Sequence, residues 1–349
     1  MDGMMGRREL LSRGARYAVG AAAFGSLLDA GAAFGATRAA VGAAGLGTLR
    51  LQLNWIRNFE FAGSYIADKK GYYRKEGFSS VKLMTGGPTV SVEPIVASGK
   101  ATLAYGVTEL TAAAIQKGAP LTIIGAGFQK NPLVIMSLAS KPLMSPKDMI
   151  GKKIGVQAFE DAVWTAFLKI NKIDAGKVTK VPVQFDPAPL VNGDVDGFVS
   201  FSTNEPVALA AQGVKTHLLF LGDFGFNLFE QVYVVGTETL KKNRAAVVGA
   251  LRAEARGWRE NIKNPTLGPS LGVNVYGKGL GLKLPAEIAG NKAQIKLMDT
   301  PWTRRKGLFY MNPADIAKVV KTLGVLGVKV SSGVFTNDVL DEIYKNGVI

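Results

Sequence analysis

Cysteine is absent from the 349 residues and histidine occurs once. Without a thiol the chain can form no disulfide, thiolate metal site, iron–sulfur cluster or covalent cysteine intermediate, and it carries no lipid-modified cysteine. A single histidine, His217, excludes a multi-histidine metal centre and a pair of imidazole proton shuttles; it sits at the start of a β-rich run, where a structural role is expected. Long apolar runs are scarce as well. The Ala/Gly-rich stretch from Tyr17 to Leu28 falls far short of the roughly 20 residues a membrane-spanning helix needs. Acidic groups number 27 against 42 lysines and arginines, a formal net charge of +15. Yet Lys69, Lys117, Lys172 and Lys263 are spread along the chain rather than gathered in a stripe interleaved with aromatics, so the expectation is a solvated basic surface and no nucleic-acid partner. Neither a G-x-S-x-G elbow nor a G-x-x-x-x-G-K-[ST] phosphate loop occurs, and Gly277-Lys278-Gly279-Leu280-Gly281 lacks the preceding strand that would make it one.

The chain is long enough for two ordinary domains, and 47% of its residues are hydrophobic, which suits a folded globular protein. Residues 1–46 read as a twin-arginine export signal: Arg7 and Arg8 precede Leu10-Leu11, and a weakly hydrophobic run follows. Export to the periplasm as a free protein is the expectation.

From Thr48 onward, ten short β-rich runs alternate with helical patterns, from Leu49–Leu53 through Leu121–Gly125 to Gln231–Val235, which argues for α/β layering with largely parallel sheets. A helix is expected over Glu60–Lys70, with Gly71 accepting the left-handed conformation just past its end. Further helices are expected at Leu240–Asn261, Pro285–Lys296, Pro313–Leu323 and Asn337–Lys345. Asn264–Leu284, rich in Gly and Pro, reads as an irregular surface segment.

Several of these runs are followed at once by polar or aromatic residues and a helix start. Trp55 and Asn58 follow the first strand, Thr108 and Glu109 follow Leu103–Gly106, Gln129 follows Leu121–Gly125, Gln157 ends the run from Lys153, and Asn204 and Glu205 follow Gly197–Phe201. In open α/β sheets the ligand crevice lies at the carboxyl ends of the strands. Turns from separate strands would therefore deliver hydrogen-bonding groups to one edge, beside helix amino termini with unpaired N–H donors. Trp55 and Trp164, with Phe59 and Phe185 as weaker candidates, supply flat apolar faces. Plainer readings stand beside these: Trp164 packing within its own helix, Phe59 in the core, Gln157 satisfying a strand end, and Glu205-Pro206 serving a helix cap.

The blocks "LNWIRNFEFAGSYIADKKGYYRKEG", "GGPTVSVEPIVASGKATLAYGVTE", "KGAPLTIIGAGFQKNPLVIMS", "MSPKDMIGKKIGV" and "GDVDGFVSFSTNEPVALAAQG" resemble, in order and spacing, the periplasmic solute-binding proteins of ABC importers. The branch they are most similar to handles thiamine-pyrimidine precursors, with riboflavin, nitrate, sulfonate and taurine binders nearby. The resemblance covers roughly Leu49 to Arg259. It implies a type II periplasmic binding protein fold: an α/β lobe of 47–131 plus 236–349, a second of 132–235, two crossovers and hinge closure on a small molecule. It also implies a monomer that meets an inner-membrane permease and has no resident cofactor, no metal and no catalysis. Carried onto this chain, the pattern has Trp55 stacking on a ligand ring, Asn58 and Glu60 lining the first wall, Thr108 and Gln129 following, and Asn204 and Glu205 answering from the other lobe. The chain departs from the pyrimidine binders at Ile56-Arg57, where those commonly show Thr-Pro; Arg57 would suit an acidic substituent, and hence a sulfonate or nitrate. Pyrimidine synthases of the same fold use a histidine, a lysine-linked pyridoxal cofactor and a cysteine-rich iron motif, which leaves that activity the remotest of the three expectations.

Overall fold

Ten strands build two five-stranded sheets in the computed structural model, which describes residues 45–349 apart from Pro88. All but the last two residues of the expected export signal lie outside the described residues. The first sheet has the order β2-β1-β3-β10-β4, with β1 Thr48–Gln52, β2 Ser80–Met84, β3 Leu103–Gly106, β4 Leu121–Phe128 and β10 Glu230–Gly236. The second has the order β7-β6-β8-β5-β9, with β5 Leu133–Leu138, β6 Lys153–Gln157, β7 Thr179–Val183, β8 Gly197–Phe201 and β9 Thr216–Phe220. Helices cover both faces of such sheets, so the central strands read as continuous apolar runs, as β3 (LAYG, buried throughout) and β10 (buried throughout) do.

In each sheet one strand runs against its neighbours. β10 is antiparallel to β3 and β4, and β5 is antiparallel to β8 and β9. By Glu230 the chain has therefore returned to the first sheet, earlier than the expected boundary after residue 235. A short run that is apolar on both faces fits either sheet equally well; only pairing with Gly106 and Ala126 decides where it goes. The segments 129–132 and 221–229 are the two connections between the sheets.

The first helix begins with a single 3-10 turn, Phe59–Phe61, capped by the Asn58 side chain on the Glu60 N–H, and continues as Ala62–Lys69. Gly71 follows at φ 70°, the left-handed backbone expected of it. This helix packs on Arg244–Lys263 so closely that a Cβ on Gly257 would stand 2.0 Å from the Gly63 carbonyl oxygen. The expected helix over Leu240–Asn261 is two, Thr237–Lys242 and Arg244–Lys263, broken at Asn243. Asn264–Leu284 is not irregular: Leu267–Leu271 is helical and Gly272–Tyr276 is a π-helical turn. Tertiary packing overrides weak propensity there, because the Tyr276 ring stacks on Tyr65 at 4.5 Å and Gly268 lets the backbone close onto Ala62.

Inside the first lobe, Glu254 is fully buried. Its carboxylate accepts from Tyr105 Oη at 2.7 Å, Ser64 Oγ at 3.0 Å and Tyr233 Oη at 3.1 Å. Tyr73 Oη donates to the other oxygen, and the Trp258 indole N–H reaches Tyr105 Oη at 3.2 Å. The network ties the helices Ala62–Lys69 and Arg244–Lys263 to β3 and β10.

Candidate functional site

Strand direction brings the two sheets edge to edge. β1 to β4 all end on one edge of the first sheet, and β10, running the other way, begins there. In the second sheet β6, β7, β8 and β9 end, and β5 begins, on the edge from which both connections leave. The helix Leu284–Met298 packs against both the 3-10 turn Phe59–Phe61 and the helix Glu205–Ala211, so it closes one side of the crevice between these edges.

The residues expected at the site fall as follows. Trp55 is half-buried just past β1 and packs against the first-lobe core; its carbonyl accepts from the Gly86 N–H at 3.0 Å. Asn58 is buried, accepting from the Glu60 N–H at 3.0 Å and donating to Glu60 Oε1 at 3.2 Å. Thr108 is fully buried and its hydroxyl donates to the Phe229 carbonyl at 2.7 Å, tying β3 to the second connection. Gln129 donates to the Ala126 carbonyl at 2.8 Å and lines a cavity of about 190 Å³ between the two connections, with Lys130, Asp223 and Asn227. Across the crevice, Gln157 is 3% exposed and its Oε1 has no partner. Glu205 is buried at the first turn of its helix and accepts from the Phe201 N–H at 3.1 Å. Asn204, at the cap position, is exposed and accepts from the Thr203 hydroxyl. Trp164 is 5% exposed, within an apolar cluster that includes Val163 and Phe167. Phe59 is buried against Gly290, and Phe185 is exposed beyond β7.

Other groups at these edges escape sequence reasoning. Glu230 and Gln231 open β10; a search of strand carboxyl ends passes over them because β10 enters its sheet antiparallel. Gln231 is 3% exposed, carries φ +49° in a residue with a Cβ, and has neither its amide oxygen nor its amide nitrogen hydrogen-bonded. Such strain survives where the surrounding structure imposes it, and it clusters at binding sites. Glu160 follows β6 at the end of the 3-10 turn Ala158–Glu160, 2% exposed, with both carboxyl oxygens unpartnered. Glu287, from the helix Leu284–Met298, accepts from the Phe59 N–H at 2.7 Å. Its distance along the chain hides it from any local pattern. Glu109 adds a buried Oε2 without a partner.

Six carboxyl groups thus line the two edges, and none of them takes part in an ion pair among the described residues. Burial, with a smaller push from the Glu287 charge, raises Glu60 to about 7 against the pull of Asn58. Burial and then the Glu205 charge raise Glu160 to about 8. Burial also raises Glu109, Glu205 and Glu287, and Glu230 goes well up through burial and the charges of Glu109 and Glu60. Arg57 Nη2 donates to the Leu83 carbonyl at 2.6 Å, while its buried Nε has no hydrogen-bond partner. His217 lies near the far end of β9, opposite Ser137, away from the facing edge. Buried polar atoms without a partner collect at these edges, namely Glu109 Oε2, both Glu160 oxygens, Gln157 Oε1 and both ends of the Gln231 amide; most are acceptors, which suits a partner rich in N–H groups.

Among proteins of known name, the chain is similar to a riboflavin-binding protein of Chloroflexus aurantiacus, 28% identical over 62% of each chain. It is also similar to a 4-amino-5-hydroxymethyl-2-methylpyrimidine phosphate synthase of Legionella pneumophila, 26% identical over 62% of this chain and 69% of that one. Among solved structures, the periplasmic aliphatic sulphonate binding protein SsuA of Escherichia coli superposes with a TM-score of 0.62 over 80% of this chain and 86% of that one, at 16% identity. At that identity the likeness is one of fold: the two-sheet architecture is the periplasmic binding protein fold. The NMT1/THI5-like family model matches residues 58–267, a span that includes most of both facing edges, and the chain belongs to that family.

Proposed function

We propose that the chain is the solute-capturing component of an ABC importer, closing its two lobes on a small, flat, donor-rich heterocycle. An aminopyrimidine related to thiamine precursors fits best, with a riboflavin-like ring next. The observation that carries this reading is the crevice of buried carboxyl and amide groups without partners. An amino or ring N–H donor would satisfy them, and hydrogen bonds to charged groups contribute about 1.5–3 kcal/mol each. A sulfonate or nitrate would instead bring negative charge beside buried carboxyl groups, and Arg57, the residue that favoured such an anion, already gives its Nη2 to the Leu83 carbonyl and keeps only its buried Nε without a partner. Trp55 is placed to cover one face of the ring.

The name of the Legionella relative raises a second reading, a pyrimidine synthase. The residues fit it poorly: there is no cysteine, and the one histidine is off the facing edge. Delivery to an inner-membrane permease is the role the fold supports, and the expected Arg7-Arg8 leader supports export.

Isothermal titration against formylaminopyrimidine, hydroxymethylpyrimidine, riboflavin, taurine and nitrate tests the assignment. Heat is expected from a heterocycle and none from either anion. Trp55→Ala should weaken binding about tenfold or more, since ring stacking alone adds about 0.5–1.5 kcal/mol beyond area burial. Arg57→Ala should change affinity little. Binding of an anion that Arg57→Ala abolishes and Trp55→Ala spares would overturn the reading, and a copurifying pyridoxal cofactor detected by its absorbance would replace it with the enzyme.

A further inference from the structure

Several cations of the basic excess meet where three helices end. Where the helices Arg244–Lys263 and Leu284–Met298 end beside the short helix Pro301–Lys306, Arg259, Lys263 and Arg304 line an open hollow of about 320 Å³ floored by Ile262 and Leu308. Asp299 is matched by Arg304 at 2.9 Å, and nearby Glu260 is matched by Lys70. Arg259 and Lys263 form no ion pair among the described residues. On the same short helix the Arg305 guanidinium lies 5.1 Å and the Lys306 ammonium 6.0 Å from the centre of the Trp302 ring. That indole is half-buried and pinned by its N–H to the Tyr310 carbonyl at 3.0 Å. Compensation of helix dipoles calls for about one cation at a helix end; three cations line this hollow and two more follow on the same short helix.

We propose that this face docks on an anionic bilayer, with phosphodiester headgroups entering the hollow beside Arg259 and Lys263 and Trp302 resting at headgroup depth. Charge complementarity gives the attraction. The amphipathic indole among cations, with aliphatic side chains on the floor, matches a membrane–water interface better than it matches an acidic protein segment. Each cation near such a surface contributes about 1 kcal/mol, or roughly fivefold in partitioning.

Sedimentation with sucrose-loaded vesicles of phosphatidylcholine, with and without phosphatidylglycerol, tests the proposal using the exported protein. Partitioning should favour the phosphatidylglycerol vesicles by at least about tenfold at low salt and should fade as salt shortens the screening length. The triple variant R304E/R305E/K306E should lose about a hundredfold, and Lys263→Glu alone, at an exposed position and so safe for folding, several-fold. Tryptophan emission should shift to the blue on anionic vesicles, and Trp302→Phe should abolish the shift. Equal partitioning onto both vesicle types, or an unchanged triple variant, would overturn the proposal. So would saturable capture of inorganic phosphate that leaves vesicles unbound, or binding of polyglutamate but not vesicles.

Discussion

Glu254 and Glu160 are both glutamates buried almost completely, and they are treated in opposite ways. Glu254 sits between helices and sheet with four hydroxyl donors converging on it. Burial raises its pKa, and those donors pull it back. Glu160 sits at the crevice with neither oxygen matched, and burial and the Glu205 charge hold it near 8. The first arrangement is complete in the folded chain. The second is incomplete until something else supplies the donors. Burial of a charged side chain therefore says little about function by itself; its unmet hydrogen-bonding capacity separates a structural carboxylate from a binding one.

The largest expected effect breaks the complete arrangement. Glu254→Gln replaces an acceptor of four hydroxyls with an amide that can accept at only one atom, and it should cost about 2–4 kcal/mol in urea unfolding with an unchanged slope. The incomplete arrangement should answer with the opposite sign: Glu160→Gln removes an acid that folding must keep protonated near neutral pH, and should stabilise the empty protein by about 1 kcal/mol while weakening heterocycle binding several-fold. A Glu160 variant as destabilised as the Glu254 variant would erase the distinction. The remaining effect is in pH dependence. Glu60 is raised in the folded state from 4.5 to about 7, so the folded protein holds that proton more readily than the unfolded chain. Stability should be greatest below about 4.5 and decline as pH rises through 7, and Glu60→Gln should flatten that decline in melts run across the same window.

How much of the site was legible follows from the same physics. Trp55, Asn58, Thr108, Gln129, Gln157 and Glu205 stand directly after strand-like runs, and strand ends can be read from local pattern. Glu230 and Gln231 could not be found that way, because only pairing shows β10 to be reversed, with its beginning at the crevice. Glu287 reaches Phe59 from 228 residues away. Trp164 shows the converse: an indole among apolar neighbours looks the same in sequence whether it faces a ligand or the core, and in the fold it lies buried among such neighbours. The Gly- and Pro-rich segment 264–284 looked irregular because its helicity comes from Tyr65 and Ala62 rather than from its own residues.

Alternation of apolar runs with helix-forming stretches, the glycine past the first helix and the want of thiols and imidazoles were decided by the sequence alone, because each depends on residues within a turn or two or on composition. Which strand reverses, where the chain returns to its first sheet, which buried acids find donors and where the cations collect were decided only by tertiary structure. Those outcomes depend on contacts between segments far apart in the chain, and a local pattern carries no record of them.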